Sequence, residues 1–160
     1  MKLLVREPGR LVYQLRARDR NSLRGILRLG SQLRRRPPRF TRGPIGFVPP
    51  DSDEMLREAA LEQQQDSRNS ALGWLEDPAR CVTGKGGFAL TLSEGEAETL
   101  LQALNHAKMA FWEALGCPDE NAPAQPSINP EIETLQQAKE IANAYIAWWV
   151  DSLSGDAPNH

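Results

Sequence analysis

Proline residues divide this chain into the segments that can form helices and strands. Five of its twelve prolines fall between Pro37 and Pro50, and a second polar, proline-bearing stretch spans residues 117–128. Proline fixes the φ angle and lacks the backbone N–H that a helix interior needs, so neither stretch continues a regular element. At 160 residues, the chain is predicted to form a single domain with two long loops.

Residues 1–36 are predicted to form a hairpin followed by a basic helix. Apolar and polar residues alternate in Lys2–Glu7 and in Arg10–Ala17, which is the pattern of two half-buried strands. Ser22 is predicted to cap the helix, which runs to about Arg36.

After a proline-rich loop at 37–52, residues 53–116 are predicted to contain a helix, a strand and a helix. The first helix runs from about Asp53 to Leu75, and Phe88–Leu92 alternates like a third strand. Ser93 and Glu96 form a capping box that begins the next helix, and Gly116 supplies its C-terminal stop.

A loop at 117–129 precedes the last helix, at 130–153, and residues 154–160 form a tail. Asn129 is the predicted N-cap, with Pro130 at the first helical position. The fold class is therefore α+β and predominantly helical, with about four helices packed on a small antiparallel sheet made of the N-terminal hairpin and one later strand. The predicted core contains Leu23, Ile26, Leu27, Leu101, Leu104, Phe111, Leu135, Ala142 and Ile146.

Charge is distributed unevenly along the chain. The first 43 residues hold 13 of the 19 Lys and Arg and only two acids, whereas the remainder holds the other six bases and 19 acids. A basic surface must therefore meet an acidic one within the molecule, across a dimer or in a partner.

Two groups of residues are candidates for an interaction surface. The predicted basic helix and its C-terminal end present Arg24, Arg28 and Arg35 on the side opposite its apolar stripe. Trp112 and Trp148 belong, with Trp149 and Tyr145, to an aromatic concentration on the last two helices, for which core packing is the alternative to a contact surface. The adjacent Trp148 and Trp149 are both fully buried only if the helix is covered over a wide arc. We expect a protein partner or self-association, and the alternative is a nucleic-acid-binding regulator that uses the arginines.

The sequence shows no constellation typical of an enzyme. Gly84-Lys85-Gly86-Gly87 lacks the upstream glycine and the following hydroxyl residue of a phosphate loop, so a turn is predicted there. The sequence pattern names no general-base or metal pair that includes His106, and Cys81 and Cys117 are predicted to be reduced thiols. We therefore expect no catalytic residues, metal or other cofactor, no membrane association, and a cytoplasmic location.

A family resemblance is carried by four stretches, which are residues 90–97, 101–108, 114–116 and 145–153. In these stretches and in the order of its parts, the chain resembles a bacterial domain-of-unknown-function family, the one numbered twenty-seventeen. Actinobacterial members of that family are encoded beside ClpS, the adaptor of the Clp protease. The resemblance implies an accessory or regulatory interaction protein with the Clp adaptor system as a partner.

Overall fold

The computed structural model describes residues 1–33, 50–117 and 129–155, without the side chains of 50–53. This part of the chain folds into four helices and one four-stranded sheet, so the predicted α+β, predominantly helical class is confirmed. The elements in chain order are β1 (Lys2–Glu7), β2 (Arg10–Leu15), α1 (Ala17–Gln32), α2 (Pro50–Glu76), β3 (Cys81–Gly84), β4 (Gly87–Leu92), α3 (Glu94–Ala114) and α4 (Pro130–Ser154).

The sheet is antiparallel throughout, with the strand order β1-β2-β4-β3. Leu11, Tyr13 and Leu15 of β2 alternate with residues of the other face, and their side chains are fully buried. Leu90 and Leu92 of β4 lie opposite Tyr13 and Leu11 in the register. These residues join the core that the helices cover.

The predicted sheet lacked one strand. Cys81–Gly84 pairs with β4, and only Cys81 of its four residues is buried. A strand this short and exposed has almost no alternating pattern for sequence reasoning to detect. The turn predicted at Gly84 to Gly87 is confirmed, and it joins β3 to β4. Gly87 has φ 131°, and a Cβ there would lie 2.1 Å from the Leu15 carbonyl oxygen, so the turn requires glycine.

The predicted start of α1 at Ser22 is wrong. The helix begins at Ala17 with Arg16 as its N-cap, and it ends at Gln32 rather than near Arg36. The Asp19 carboxylate accepts the Arg16 backbone N–H at 3.1 Å. This bond gives the N-cap amide a partner at the start of the helix, six residues before Ser22. The strand predicted over Arg10–Ala17 consequently stops at Leu15.

The other helix ends lie close to their predicted positions. Ser93 accepts from the Glu96 backbone N–H and Glu96 accepts from the Ser93 backbone N–H, which confirms the capping box of α3. The Asn129 side chain caps α4 as predicted, by accepting from the backbone N–H two residues later. Helix α2 begins at Pro50, three residues before its predicted start, because proline is compatible with the first turn of a helix.

The core forms where the helices cover one face of the sheet. The predicted core residues Leu23, Ile26, Leu27, Leu104, Phe111 and Ala142 are all buried, and Leu101, Leu135 and Ile146 pack against them partly buried. Helices α1 and α3 cross at Gly30, where a Cβ would lie 2.9 Å from the Ala107 Cβ. A larger residue at Gly30 would push the two helices apart.

The Arg6 side chain connects the sheet to α4. Arg6 of the edge strand β1 donates to the Ser152 and Leu153 carbonyl oxygens, both at 2.9 Å, in the last turn of α4. Those carbonyls have no partner within the helix, and they lie at the negative end of its dipole. This contact fixes the C-terminal end of α4 against β1.

Candidate interaction surface

Two of the predicted surface arginines form ion pairs within the chain. Arg24 and Arg28, on α1, both donate to the carboxylate of Glu76, the last residue of α2. Arg20 of the same helix donates to the Leu75 carbonyl oxygen at 2.9 Å. Part of the basic segment therefore meets the acidic part of the same molecule, which was one of the three arrangements considered from the sequence. Arg35 lies outside the described residues.

The predicted tryptophans lie in different environments. Trp112 is half-buried on α3. Trp149 is fully buried and stacks on Tyr13 with ring centroids 4.5 Å apart. Trp148 is half-buried and makes edge contacts to Tyr13 and Trp149, at 5.8 and 5.5 Å. Only one of the two adjacent tryptophans is therefore fully buried, and the other is partly accessible on the flank of α4.

An open depression of about 460 Å³ lies between the first turn of α1 and the flank of α4 that carries Trp148. One wall is apolar and consists of Ile141, Ala144 and Trp148, and Ile141 is 43 % exposed. These residues recur at the three- and four-residue spacing of one helix side. The complete lining is Met1, Arg16, Arg18, Asp19, Ser22, Ile141, Ala144, Tyr145 and Trp148.

Asp19 is the buried charge beneath this depression, with only 2 % of its surface exposed. Its Oδ2 accepts from Arg16 Nε at 2.9 Å, and its Oδ1 accepts from Arg16 Nη2 at 3.2 Å. Tyr145 donates its hydroxyl to Oδ1 at 2.9 Å. The amino group of Met1 lies 3.6 Å from Oδ2. The hydrogen bond between Tyr145 and Asp19 thus connects the start of α1 to the middle of α4.

These contacts shift the pKa values of Asp19 and Tyr145. Burial opposes ionisation of the Asp19 carboxyl, but hydrogen bonds from Arg16 and Tyr145 outweigh it and lower its pKa to about 2. Burial raises the pKa of the Tyr145 hydroxyl, and its hydrogen bond to the carboxylate raises it further. Tyr145 therefore remains a donor and Asp19 an acceptor near neutral pH, which is a structural role that requires no proton transfer.

Sequence reasoning missed Arg16, Arg18, Asp19 and Ile141 as members of this site, and it placed Tyr145 only in the aromatic concentration of the last two helices. One signal for Asp19 was present, because it is one of only two acids among the first 43 residues. The depression also depends on where α1 begins, and the predicted start at Ser22 placed Asp19 outside the helix.

Within residues 1–33, 50–117 and 129–155, no group of three or more His, Cys, Asp or Glu side chains is placed to hold a metal ion. No helix in that part of the chain is long and apolar enough to cross a membrane. Cys81 is a buried free thiol and Cys117 an exposed one.

The chain matches no family model, no curated protein and no solved structure. The family resemblance described from its sequence therefore remains a prediction.

Proposed function

We propose that this chain is a non-enzymatic interaction or regulatory protein that binds a protein partner through the α4 flank. The observation that carries the proposal is the apolar wall of Ile141, Ala144 and Trp148, which lies beside an open depression in the described structure. Exposed apolar surface that is bordered by polar residues is typical of a protein contact. Tryptophan and arginine, which both line this depression, are the residues most enriched in binding hot spots.

The Clp adaptor system is the named candidate partner, and this choice follows from the family resemblance alone. Nucleic-acid binding through the predicted arginine face is the less favoured alternative. Arg24 and Arg28 already share the Glu76 carboxylate, so contact with a phosphate backbone would have to compete with that ion pair.

Site-specific photocrosslinking tests the proposal. A benzophenone amino acid replaces Ile141 in one version of the full chain and Val150 in another. The two side chains have similar exposure, at 43 % and 47 %, but they lie about two and a half helical turns apart and therefore on opposite sides of α4. We expect specific protein adducts from position 141 in a native cell extract, and none of the same adducts from position 150.

Titration of the purified Clp adaptor into the full chain then tests the named partner. Micromolar or tighter binding that Ile141→Glu weakens and Val150→Glu leaves unchanged supports this partner. Adducts that form equally at both positions, or at neither, contradict the proposed surface. Adducts at position 141 without adaptor binding reject only the adaptor as the partner.

A further inference from the structure

A second depression, across the end of the sheet, adjoins the one beside α4. The second depression has a volume of about 380 Å³ and is lined by Met1, Lys2, Gln14, Arg16 and Gly86. Met1 and Arg16 line both depressions, so the two meet at these residues. We call the combined surface the cationic groove. It runs from the apolar wall on α4, past the start of α1, to the turn between β3 and β4.

The lining of the cationic groove is basic. Lys2, Arg16 and Arg18 contribute positive charge, and Asp19 is the only acid among the described lining residues. Asp19 is buried and already accepts hydrogen bonds from Arg16 and Tyr145. The N-terminal end of the α1 dipole adds further positive potential at the same place.

The Arg16 side chain is fixed by Asp19 and still reaches the surface, since it is 53 % exposed. Asp19 accepts from its Nε and Nη2 atoms, whereas a guanidinium carries five N–H groups. Arg16 is therefore held in a defined orientation at the junction of the two depressions. A ligand carboxylate that binds there meets a donor whose side-chain entropy has already been lost.

The apolar wall lies at one end of the cationic groove. Ile141 and Ala144 provide aliphatic surface, and Trp148 is held in place by the rings of Tyr13 and Trp149. A wall of this kind suits an aliphatic or aromatic side chain of a ligand.

We propose that the cationic groove binds an extended acidic peptide segment of a partner protein. One large apolar side chain of the segment packs against Ile141, Ala144 and Trp148, and its carboxylates pair with Arg16, Arg18 and Lys2. This assignment rests on the proposed function, because it specifies the partner chemistry of the same α4 flank. Charge complementarity and the apolar end together favour an acidic peptide over a basic or purely polar one.

Selection from a peptide library tests this assignment on the full chain. Random displayed peptides of about twelve residues are long enough, because an extended peptide of that length spans roughly 40 Å. We expect the enriched peptides to be rich in Asp and Glu and to share one large apolar residue. Fluorescence anisotropy then gives the affinity of the strongest peptide for the wild type and for each variant.

Two variants disrupt the two halves of the site. Ile141→Glu removes the apolar wall and Arg18→Glu reverses one charge, and each should weaken binding about tenfold or more. Both substitutions suit their positions, because glutamate is a good helix former and is favoured in the first turn of a helix. Val150→Glu and Arg10→Glu are the matched controls, on the far side of α4 and at the other end of the β1–β2 hairpin, and should change the affinity less than about twofold.

Enrichment of neutral or basic peptides, failure to enrich any peptide, or equal effects of variants and controls would overturn the assignment. Photocrosslinking at position 141 separates this failure from failure of the proposed function, since adducts there without acidic selectivity reject only the peptide class. A fluorescent oligo-dT strand is titrated in parallel. Submicromolar binding of that strand, lost in Arg18→Glu, would replace the peptide by a nucleic acid.

Discussion

The two halves of α1 carry arginines in contrasting surroundings. In its C-terminal half, Arg24 and Arg28 both meet Glu76, and Gly30 packs directly on Ala107 of α3. At its N-terminal end, Arg16 and Arg18 line an open groove, and the acid beneath them is buried. The contrast rests on Arg18, which forms no ion pair with another described residue, because Arg16 is already paired with Asp19 as Arg24 and Arg28 are with Glu76. Basic charge therefore marks a potential binding surface most clearly at Arg18.

The closed half of α1, from Arg24 to Gln32, should be more sensitive than its open N-terminal end to substitutions that change core packing. Leu104 of α3 is fully buried in the core that α1 covers, and Leu104→Ala should lower the free energy of unfolding by about 2–5 kcal/mol. Urea denaturation measures this change. Met109→Ala is the matched control on the same helix, because Met109 is 41 % exposed and its truncation should cost about 0.5 kcal/mol or less. Equal midpoints for the two variants would disprove the core assignment.

At the open N-terminal end of α1, stability should depend on the buried carboxylate of Asp19. Asp19→Asn replaces a carboxylate that accepts from Arg16 and Tyr145, so it should lower the free energy of unfolding at pH 7 by about 1–3 kcal/mol. Tyr145→Phe should have a smaller effect, because it removes one hydrogen bond and leaves the arginine contact. An Asp19→Asn variant as stable as the wild type would show that this carboxylate does not hold α1 against α4.

Asp19→Asn should also change how the free energy of unfolding depends on pH. The Asp19 pKa is about 2 in the folded protein, against an ordinary value of 3.8. Its stabilisation is therefore fully present above about pH 4 and is lost as the pH falls towards 2. The difference in unfolding free energy between wild type and Asp19→Asn should shrink over that interval. A constant difference between pH 6 and pH 2 would contradict the lowered pKa.

The ion pairs of Glu76 with Arg24 and Arg28 should contribute less to stability than the contacts of Asp19 do. Glu76 is partly exposed, and Glu76→Gln weakens its interaction with both Arg24 and Arg28. Exposed pairs of this kind contribute about 0–1 kcal/mol, and added salt screens them. Thermal unfolding at low and high salt measures the effect. A loss well above 1 kcal/mol would mean that these pairs fix the position of α2.

The smallest expected effect concerns nucleic acid. The full chain should bind DNA and RNA no better than non-specifically, more weakly than about 10 µM at physiological salt, and replacing Arg24, Arg28 and Arg35 with Ala should change little. Fluorescence anisotropy at two salt concentrations measures both affinities. Submicromolar binding that depends on these arginines would favour the nucleic-acid alternative.

The sequence predicted most of the fold, because its helix signals are local. The capping box at Ser93 and the Asn129-Pro130 start depend on residues within one turn, and both lie where expected. Strand β3 was missed because its pattern is too short, and α1 was started too late because the Asp19 contact to Arg16 replaces a conventional cap. The contact is local, three residues apart, but arginine is not among the residue types that typically cap a helix, so the pattern was not recognised.

The candidate site was less predictable, because it combines residues far apart in the chain. Trp148 was selected from the sequence and lines the depression, but Ile141 and Arg18 carried no signal of their own. Arg24 and Arg28 were selected for their charge and instead pair with Glu76. A sequence pattern gives the face of each helix, whereas a groove requires the positions of two helices relative to each other.

Nuclear magnetic resonance mapping tests the central claim most directly. The four tryptophans give separate indole N–H signals, and the selected acidic peptide, or a purified partner if one is identified, is titrated into isotopically labelled full chain. The account predicts large shifts for the Trp148 indole and for the backbone amides of Arg18 and Ile141, with little change at Trp74 and Trp112. Shifts centred on Trp112, or on Arg24 and Arg28, with Trp148 unchanged, would contradict it.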